Sequence, residues 1–463
     1  MSPLDKKRIV ALAVVALSSL AAFTSTSGVL NLDERLSLVV LVIAAGLWTT
    51  EAIPLVATSI LIPLLQSILG VQTFKAALAP FFDPVVMLLL GGFLLAIAVE
   101  KQDLDEYLAY QILSKMKADA RFVVLAIMAT TAFLSMWISN TASTALMLTI
   151  ALKLTNEIED QRGNFSKIMV LGIAYSATAG GLSTLVGTTT CAMAAGFIRD
   201  LLGHDITFLG WMFFGLPISI IMILVIWAIL FVIFPTDVKR MPSLDAKVES
   251  LNTKQKLTTA LFVFSILLWL TGKLPEPVAM ALGWPGHGLS SSVVAAIIAV
   301  FLLVSGLLDE RDISRANWST LLLIGGGLSL GAALETSGLV IRISEGLLFL
   351  TSGRSEVVII SLVAAFGLGI SIIASNTASA GILLPLAISL GWSTGVSPVI
   401  LAVVVGIATS LDFMLPVGTP PNAIAYSTGK VKMGEMIKAG IILDLVGVIV
   451  TIALAHFLWP ILV

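Results

Sequence analysis

Charge is scarce in this sequence. Of its 463 residues 12% are charged and 58% hydrophobic, whereas a soluble domain has about a quarter charged. Mean hydropathy is +1.05, which leaves no room for a large soluble domain. Lys and Arg (26) nearly balance Asp and Glu (28), for a net charge of −2. No basic stripe is present, so nucleic acid is excluded as a partner. The single cysteine, Cys191, excludes an internal disulfide, a Cys-based zinc site and an iron–sulfur cluster. Its default is a neutral buried thiol. His204, His287 and His456 are far apart and form no metal-binding spacing. No cofactor is expected. A phosphate-binding loop is also missing, which excludes a nucleotide-driven pump.

What the sequence has instead is long apolar runs. A membrane helix needs about 20 apolar residues. Runs of that kind cover 8–29, 36–50, 54–70, 84–100, 208–234, 257–273, 292–308, 318–336 and 437–460. The first reads as a retained span rather than a cleaved signal. Four longer stretches, 122–152, 168–198, 357–389 and 397–429, carry Gly, Ser, Thr, Asn and Pro at their middles. They read as two re-entrant hairpins and two broken helices. The expected fold is an all-α polytopic membrane protein with about 11 transmembrane helices. Charge asymmetry agrees: 20 of the 26 Lys and Arg then fall on the N-terminal side. The positive-inside rule places that side in the cytoplasm and the C-terminus outside, in a multi-pass protein of the cell membrane.

The two halves repeat. Gly91-Gly92 through Glu100 is similar to Gly326-Gly327 through Glu335. Ser139-Asn140-Thr141 matches Ser375-Asn376-Thr377, and Gly187-Thr188 matches Gly418-Thr419. The offsets are nearly constant. An odd number of crossings per half inverts the second against the first, a pattern of secondary transporters with a midplane site. The expected organisation is an N-terminal span (1–35), a first repeat (36–234), a cytoplasmic linker (235–256) and a second repeat (257–463). Segments 103–118 and 337–350 read as paired amphipathic connectors, the first an interfacial helix. Trp48, Trp211, Trp318 and Trp459 read as interfacial anchors. Glu100 and Glu335 read as solvated helix-end charges.

Four interruptions inside apolar segments demand a reason, because non-helical backbone in hydrocarbon must be buried in protein or line a cavity. Each break exposes helix N-termini with free, partly positive amides. No Lys or Arg lies in any of the four elements. Backbone and hydroxyl donors of this kind suit a small anion, and the same hard oxygens suit a small cation. Asp412 follows 55 uncharged residues. An ionisable group at that depth is expensive and a candidate for coupling. An intramembrane aspartyl protease would need a second deep aspartate, and Asp412 is the only one read as deep. His456 is the only base near a membrane segment for a serine protease. Neither constellation assembles, so the chain is not read as an enzyme.

The paired Ser-Asn-Thr tips, Glu51-Ala-Ile-Pro54 and Phe413-Met-Leu-Pro-Val-Gly-Thr-Pro-Pro-Asn-Ala423 resemble the divalent anion/sodium symporter family of INDY-type di- and tricarboxylate transporters. The resemblance spans essentially the whole chain. It implies a homodimer in the lipid bilayer, an elevator mechanism, and C4 dicarboxylates such as succinate, malate and fumarate as substrates. Ser139, Asn140, Thr141, Thr188, Ser375, Asn376, Thr377 and Thr419 would meet the carboxylates. One sodium ion would sit at Ser135, Ser139, Asn140 and Gly187, another at Ser371, Ala374, Asn376 and Gly418. The first half departs from the pattern. It reads Gly187-Thr-Thr-Thr-Cys191, without the Pro-Pro-Asn of the second half, and predicts a less rigid first break. Sodium-independent exchange of dicarboxylates by the same fold stays open.

Overall fold

Away from water every amide must find its partner within the protein, and the α-helix is the local way to do so. A computed structural model describes residues 3–113, 119–156, 163–240, 250–351 and 353–462. Among these residues all regular elements are helical, with one isolated β-bridge between Asp119 and Arg240. The end of segment 103–118 and residues 241–249 of the linker 235–256 lie outside the described residues.

After α1 (Pro3–Ser25), the first half runs α2 (Leu32–Thr50), α3 (Leu55–Ile68), α4 (Phe74–Leu78), α5 (Pro84–Lys101) and α6 (Leu104–Leu113). A hairpin follows, α7 (Ala120–Ser135) and α8 (Asn140–Asn156), then a broken pair, α9 (Asn164–Gly181) and α10 (Thr189–Leu202), and finally α11 (Phe208–Ile233). The second half keeps the order. It has α12 (Thr253–Thr271), α13 (Glu276–Leu282), α14 (Ser291–Val304), α15 (Glu310–Ile313), α16 (Trp318–Thr336) and α17 (Leu339–Thr351). Its hairpin is α18 (Glu356–Ile373) and α19 (Asn376–Thr394). Its broken pair is α20 (Pro398–Ala408) and α21 (Pro420–Ser427), and α22 (Met433–Phe457) closes it.

Local chemistry marks the same points twice. Both halves open on an Asn capping box, Asn31 with Glu34 and Asn252 with Gln255. Helix α2 stops where Glu51 takes a left-handed backbone (φ 48°), and Pro54 then caps α3.

Among the described residues seven helices are long and apolar enough to cross a membrane, eight if the bent pair α12–α13 is one span. The spans expected over 54–70 and 292–308 are 14-residue helices. At 1.5 Å per residue these reach about 21 Å, short of the roughly 30 Å hydrocarbon core. Both lean on longer neighbours, α3 on α16 and α14 on α5.

The centre is made by α9 and α20. Val399–Ala408 is buried throughout, as is Ile168–Gly181. Helices α7 and α8 pack on α9, and α18 and α19 on α20. The second members of the broken pairs cross over. Helix α10 packs on α19 and α20, and α21 packs on α8 and α9, so each half completes the other. Three of the four expected interfacial tryptophans are buried instead, Trp211 and Trp459 in this core and Trp48 in a separate cluster with α3, α16 and α19. Trp48, Trp211 and Trp459 are at most 1% exposed, against 44% for Trp318. The Trp211 indole donates to Leu182 O (3.1 Å), which lies just past the end of α9. A buried indole is retained where such a carbonyl is free.

Candidate functional site

Each Ser-Asn-Thr motif begins the second helix of a hairpin, and both tips are tied by the same side-chain geometry. Ser135 lies 2.6 Å from the Asn140 amide and donates to Ala177 O at 2.7 Å. Ser371 lies 2.7 Å from Asn376 Oδ1 and donates to Thr409 O at 2.5 Å. Five residues separate Ser from Asn in both.

The Asn140 amide carries a further signal. Its inward atom is 2.6 Å from Ser135 Oγ, 3.2 Å from Gly187 O and 3.3 Å from Ala177 O. With nitrogen there, Asn140 donates to three oxygens. With oxygen there, four oxygens converge, a donor set that suits a hard cation. Gly181 is required beside it, because a Cβ would strike the Asn140 amide.

The breaks are held open by side chains that replace the lost helix bonds. In residues 182–188, Thr184 donates to Met136 O, and Gly187 N donates to Thr184 Oγ1 at 3.1 Å. In residues 409–419, Phe413 N donates to Asp444 Oδ1 at 2.8 Å. Asn422 Nδ2 donates to Asp412 O and Leu415 O at 3.1 and 3.0 Å. The halves are stitched together here. Thr189 and Thr377 hydroxyls are 2.8 Å apart, and Thr190 Oγ1 lies 2.6 Å from both Gly406 O and Ser410 Oγ.

One cavity of about 670 Å³ lies between these elements. Ser139, Asn140, Thr141, Thr188, Ser375, Asn376, Thr377 and Thr419 all line it. Of the two expected cation sets, Gly187, Ala374 and Gly418 line it as well, while Ser135 and Ser371 are fully buried behind the tips. Asp412 is fully buried and faces Gly418, where an added Cβ would strike its carboxylate. It is not the only deep aspartate. Asp444 in α22 is 3% exposed. An isolated Asp within an apolar run is a visible signal, and Asp444 sits mid-run in residues 437–460. No group of three or more His, Cys, Asp or Glu able to hold a metal comes together among the described residues.

Other wall residues lie outside the hairpin tips and the helix breaks. Thr49, Thr50 and Glu51 at the end of α2, Phe93 of α5, and Asn317 and Thr320 at the start of α16 close the far side. Among the described residues Glu51 is the only charged one lining the cavity. The carbonyls of Ala177 and Thr409 were also invisible as partners, because nothing in a residue's identity tells which side chain will reach its carbonyl.

The pattern of the family described as the sodium:sulfate symporter transmembrane region matches residues 5–463. An uncharacterised transporter of Haemophilus influenzae is 37% identical over 432 residues, 91% of each chain. The sodium-dependent dicarboxylate transporter SdcS of Staphylococcus aureus is 32% identical over 444 residues, covering 89% of this chain and 84% of SdcS. Among solved structures, the YdaH transporter of Alcanivorax borkumensis aligns with a TM-score of 0.59 at 18% identity, over 86% of this chain and 88% of that one. At that identity the likeness concerns the fold.

Proposed function

Because the chain belongs to the family of the sodium:sulfate symporter transmembrane region, we propose that it is a sodium-coupled secondary transporter of C4 dicarboxylates such as succinate, malate and fumarate. The reading is supported by one cavity that collects both hairpin tips and both helix breaks without a Lys or Arg among its lining residues. Amides, hydroxyls and Asn side chains supply donors to carboxylates, and α10 adds its N-terminal amides. With no fixed cation, neutralising a dianion calls for mobile ones. The converging oxygens of Ser135, Ala177 and Gly187, which the Asn140 amide oxygen joins when it faces them, favour sodium symport over cation-free exchange. The relative SdcS, named for sodium-dependent dicarboxylate transport, points the same way.

The ion pairs fit the eleven-crossing inverted topology. Lys101 with Asp312 and Asp309, Arg315 with Glu100, and Lys167 with Glu435 each join loops assigned to the cytoplasmic face. Arg199 with Asp83 and Arg342 with Glu34 join loops assigned outside. In that frame Glu51, Asn317 and Thr320 sit at cytoplasmic helix ends, so the cavity faces inward. An elevator would move the two hairpins and broken pairs together against α2, α3, α5 and α16, within a homodimer.

The test is uptake of labelled succinate into proteoliposomes, with and without a sodium gradient and with and without internal dicarboxylate. Symport requires gradient-driven accumulation. Uptake that needs internal dicarboxylate and ignores sodium would replace it with exchange. A cysteine at Thr320 should react with a membrane-impermeant thiol reagent only from the cytoplasmic face. The native Cys191 is buried and gives no background.

A further inference from the structure

Behind the second break, away from the motifs of the hairpin tips, four buried polar side chains share one neighbourhood. Asp412 comes from the unwound segment, Asn422 from α21, Asp444 from α22 and Tyr175 from α9. None is more than 3% exposed. Their neighbourhood follows from direct contacts. Phe413 N donates to Asp444 Oδ1, the Phe413 ring packs edge-on against Tyr175 with centroids 5.2 Å apart, and Asn422 Nδ2 donates to Asp412 O. Gly440 lets α22 approach this closely, since a Cβ there would strike Met414 Cα and Phe413 O. The two carboxylates act electrostatically on each other and on the Tyr175 hydroxyl.

These side chains are only half used. Both oxygens of Asp412, Oδ2 of Asp444, Oδ1 of Asn422 and the Tyr175 hydroxyl have no hydrogen-bond partner. The Met414 amide lies near Asp412 without forming a hydrogen bond. Neither carboxylate is in an ion pair within the described residues. Nor can the nearby start of α21 neutralise them. Pro420 and Pro421 have no N–H, and the next amide, that of Asn422, is taken by Thr419 Oγ1 at 3.3 Å. The end of α20, just before Asp412, is the negative end of that helix. Two buried carboxylates with no positive partner, beside a helix C-terminus, attract a cation. Their unpaired atoms are all hard oxygens, the donor type of alkali and alkaline-earth ions.

We propose that Asp412 and Asp444, with Asn422 Oδ1 and the Tyr175 hydroxyl, bind a sodium ion separate from the Ser135–Asn140 and Ser371–Asn376 positions. The first half has no equivalent. Gly187 packs on the backbone of Gly181 as Gly418 packs on the carboxylate of Asp412, so Gly181 holds the place of Asp412. The extra ion makes coupling asymmetric. That role in coupling rests on the symport reading, but binding at the site does not.

Equilibrium binding of labelled sodium to the purified full chain, without dicarboxylate, tests it. Wild type should bind one more ion per chain than Asp412→Asn or Asp444→Asn at saturating sodium. Tyr175→Phe should keep the count and weaken the affinity of that one ion several-fold. Equal counts in wild type and both carboxylate variants would overturn the site, as would displacement of this ion by a small excess of calcium. If an Asn variant fails to fold, Tyr175→Phe decides alone, and an unchanged sodium isotherm refutes the site. Should Asn140→Ala and Asn376→Ala leave the count intact while Asp412→Asn lowers it, the symport reading at the tips fails and this site stands.

Discussion

The two hairpin tips are near copies, but the two helix breaks behind them are not. At the tips, Ser, Asn and a backbone carbonyl recur at distances that differ by no more than 0.2 Å. The first break spans 182–188 between helices of 18 and 14 residues. The second spans 409–419 between helices of 11 and 8. The sequence led us to expect the first to be the looser one, because it lacks Pro-Pro-Asn. By extent of lost helix the second is the more broken. Proline at 416, 420 and 421 removes amides, and Asp444 and Asn422 supply the bonds that helix would otherwise make. The first break keeps the backbone amides of the first turn of α10, whereas Pro420 and Pro421 remove two from α21 and a buried carboxylate, Asp412, stands nearby. Duplicated architecture therefore persists in the hydrogen bonds of the tips and diverges at the breaks, of which only the second carries a buried carboxylate.

The largest effect should fall on the shared feature. Asn140→Ala and Asn376→Ala should each cut succinate uptake in proteoliposomes by roughly 5- to 150-fold, the equivalent of about 1–3 kcal/mol for a desolvated site that loses a partner. A large loss from only one of them would show that the tips are alike in shape and not in use.

Next comes the difference in donors. Thr189→Pro places the second half's residue at the first position of α10, where a helix tolerates it, and removes one cavity amide. The KM for succinate should rise about 10-fold, as for loss of a hydrogen bond to a charged group. Thr189→Val keeps the amide and loses only the hydroxyl contact with Thr377, and should change KM less. Equal effects would assign the loss to the hydroxyl.

The glycines separate the breaks by packing. Gly187→Ala would drive its Cβ into the Gly181 backbone, which cannot yield, whereas Gly418→Ala meets the Asp412 side chain, which can turn. Thermal melting should show Gly187→Ala destabilised by about 1–3 kcal/mol and Gly418→Ala by less. The reverse order would mean that Asp412 is held rigidly.

The smallest change is expected at the ends. Lys167→Met removes the Lys167–Glu435 pair (2.6 Å), whose side chains are 19% and 28% exposed. Partly solvated pairs contribute about 0–1 kcal/mol, so the melting temperature should move by only a few degrees.

The apolar runs, the repeat and the tip motifs were legible in the sequence, because hydropathy and identical tripeptides at one offset are properties of the chain itself. All eight residues that the family resemblance implies as substrate contacts line one cavity. Three tryptophans were misplaced, because a Trp near a helix end is the same letter whether it faces lipid or a neighbouring helix. Glu51 was noted only as part of a motif, and its place on the cavity wall depends on the turn that ends α2.

By itself the sequence determined a helical membrane protein of two matched halves, because burying backbone in hydrocarbon leaves few alternatives and the pattern of apolar residues states where that happens. Tertiary structure decided which carbonyls the tip serines reach, since Ala177 and Thr409 become partners only where hairpin and broken helix meet. It also decided that α10 and α21 cross between the halves and that Asp444 joins Asp412. These outcomes depend on which helix faces lie against each other. That is settled by packing among residues hundreds of positions apart, and no local pattern encodes it.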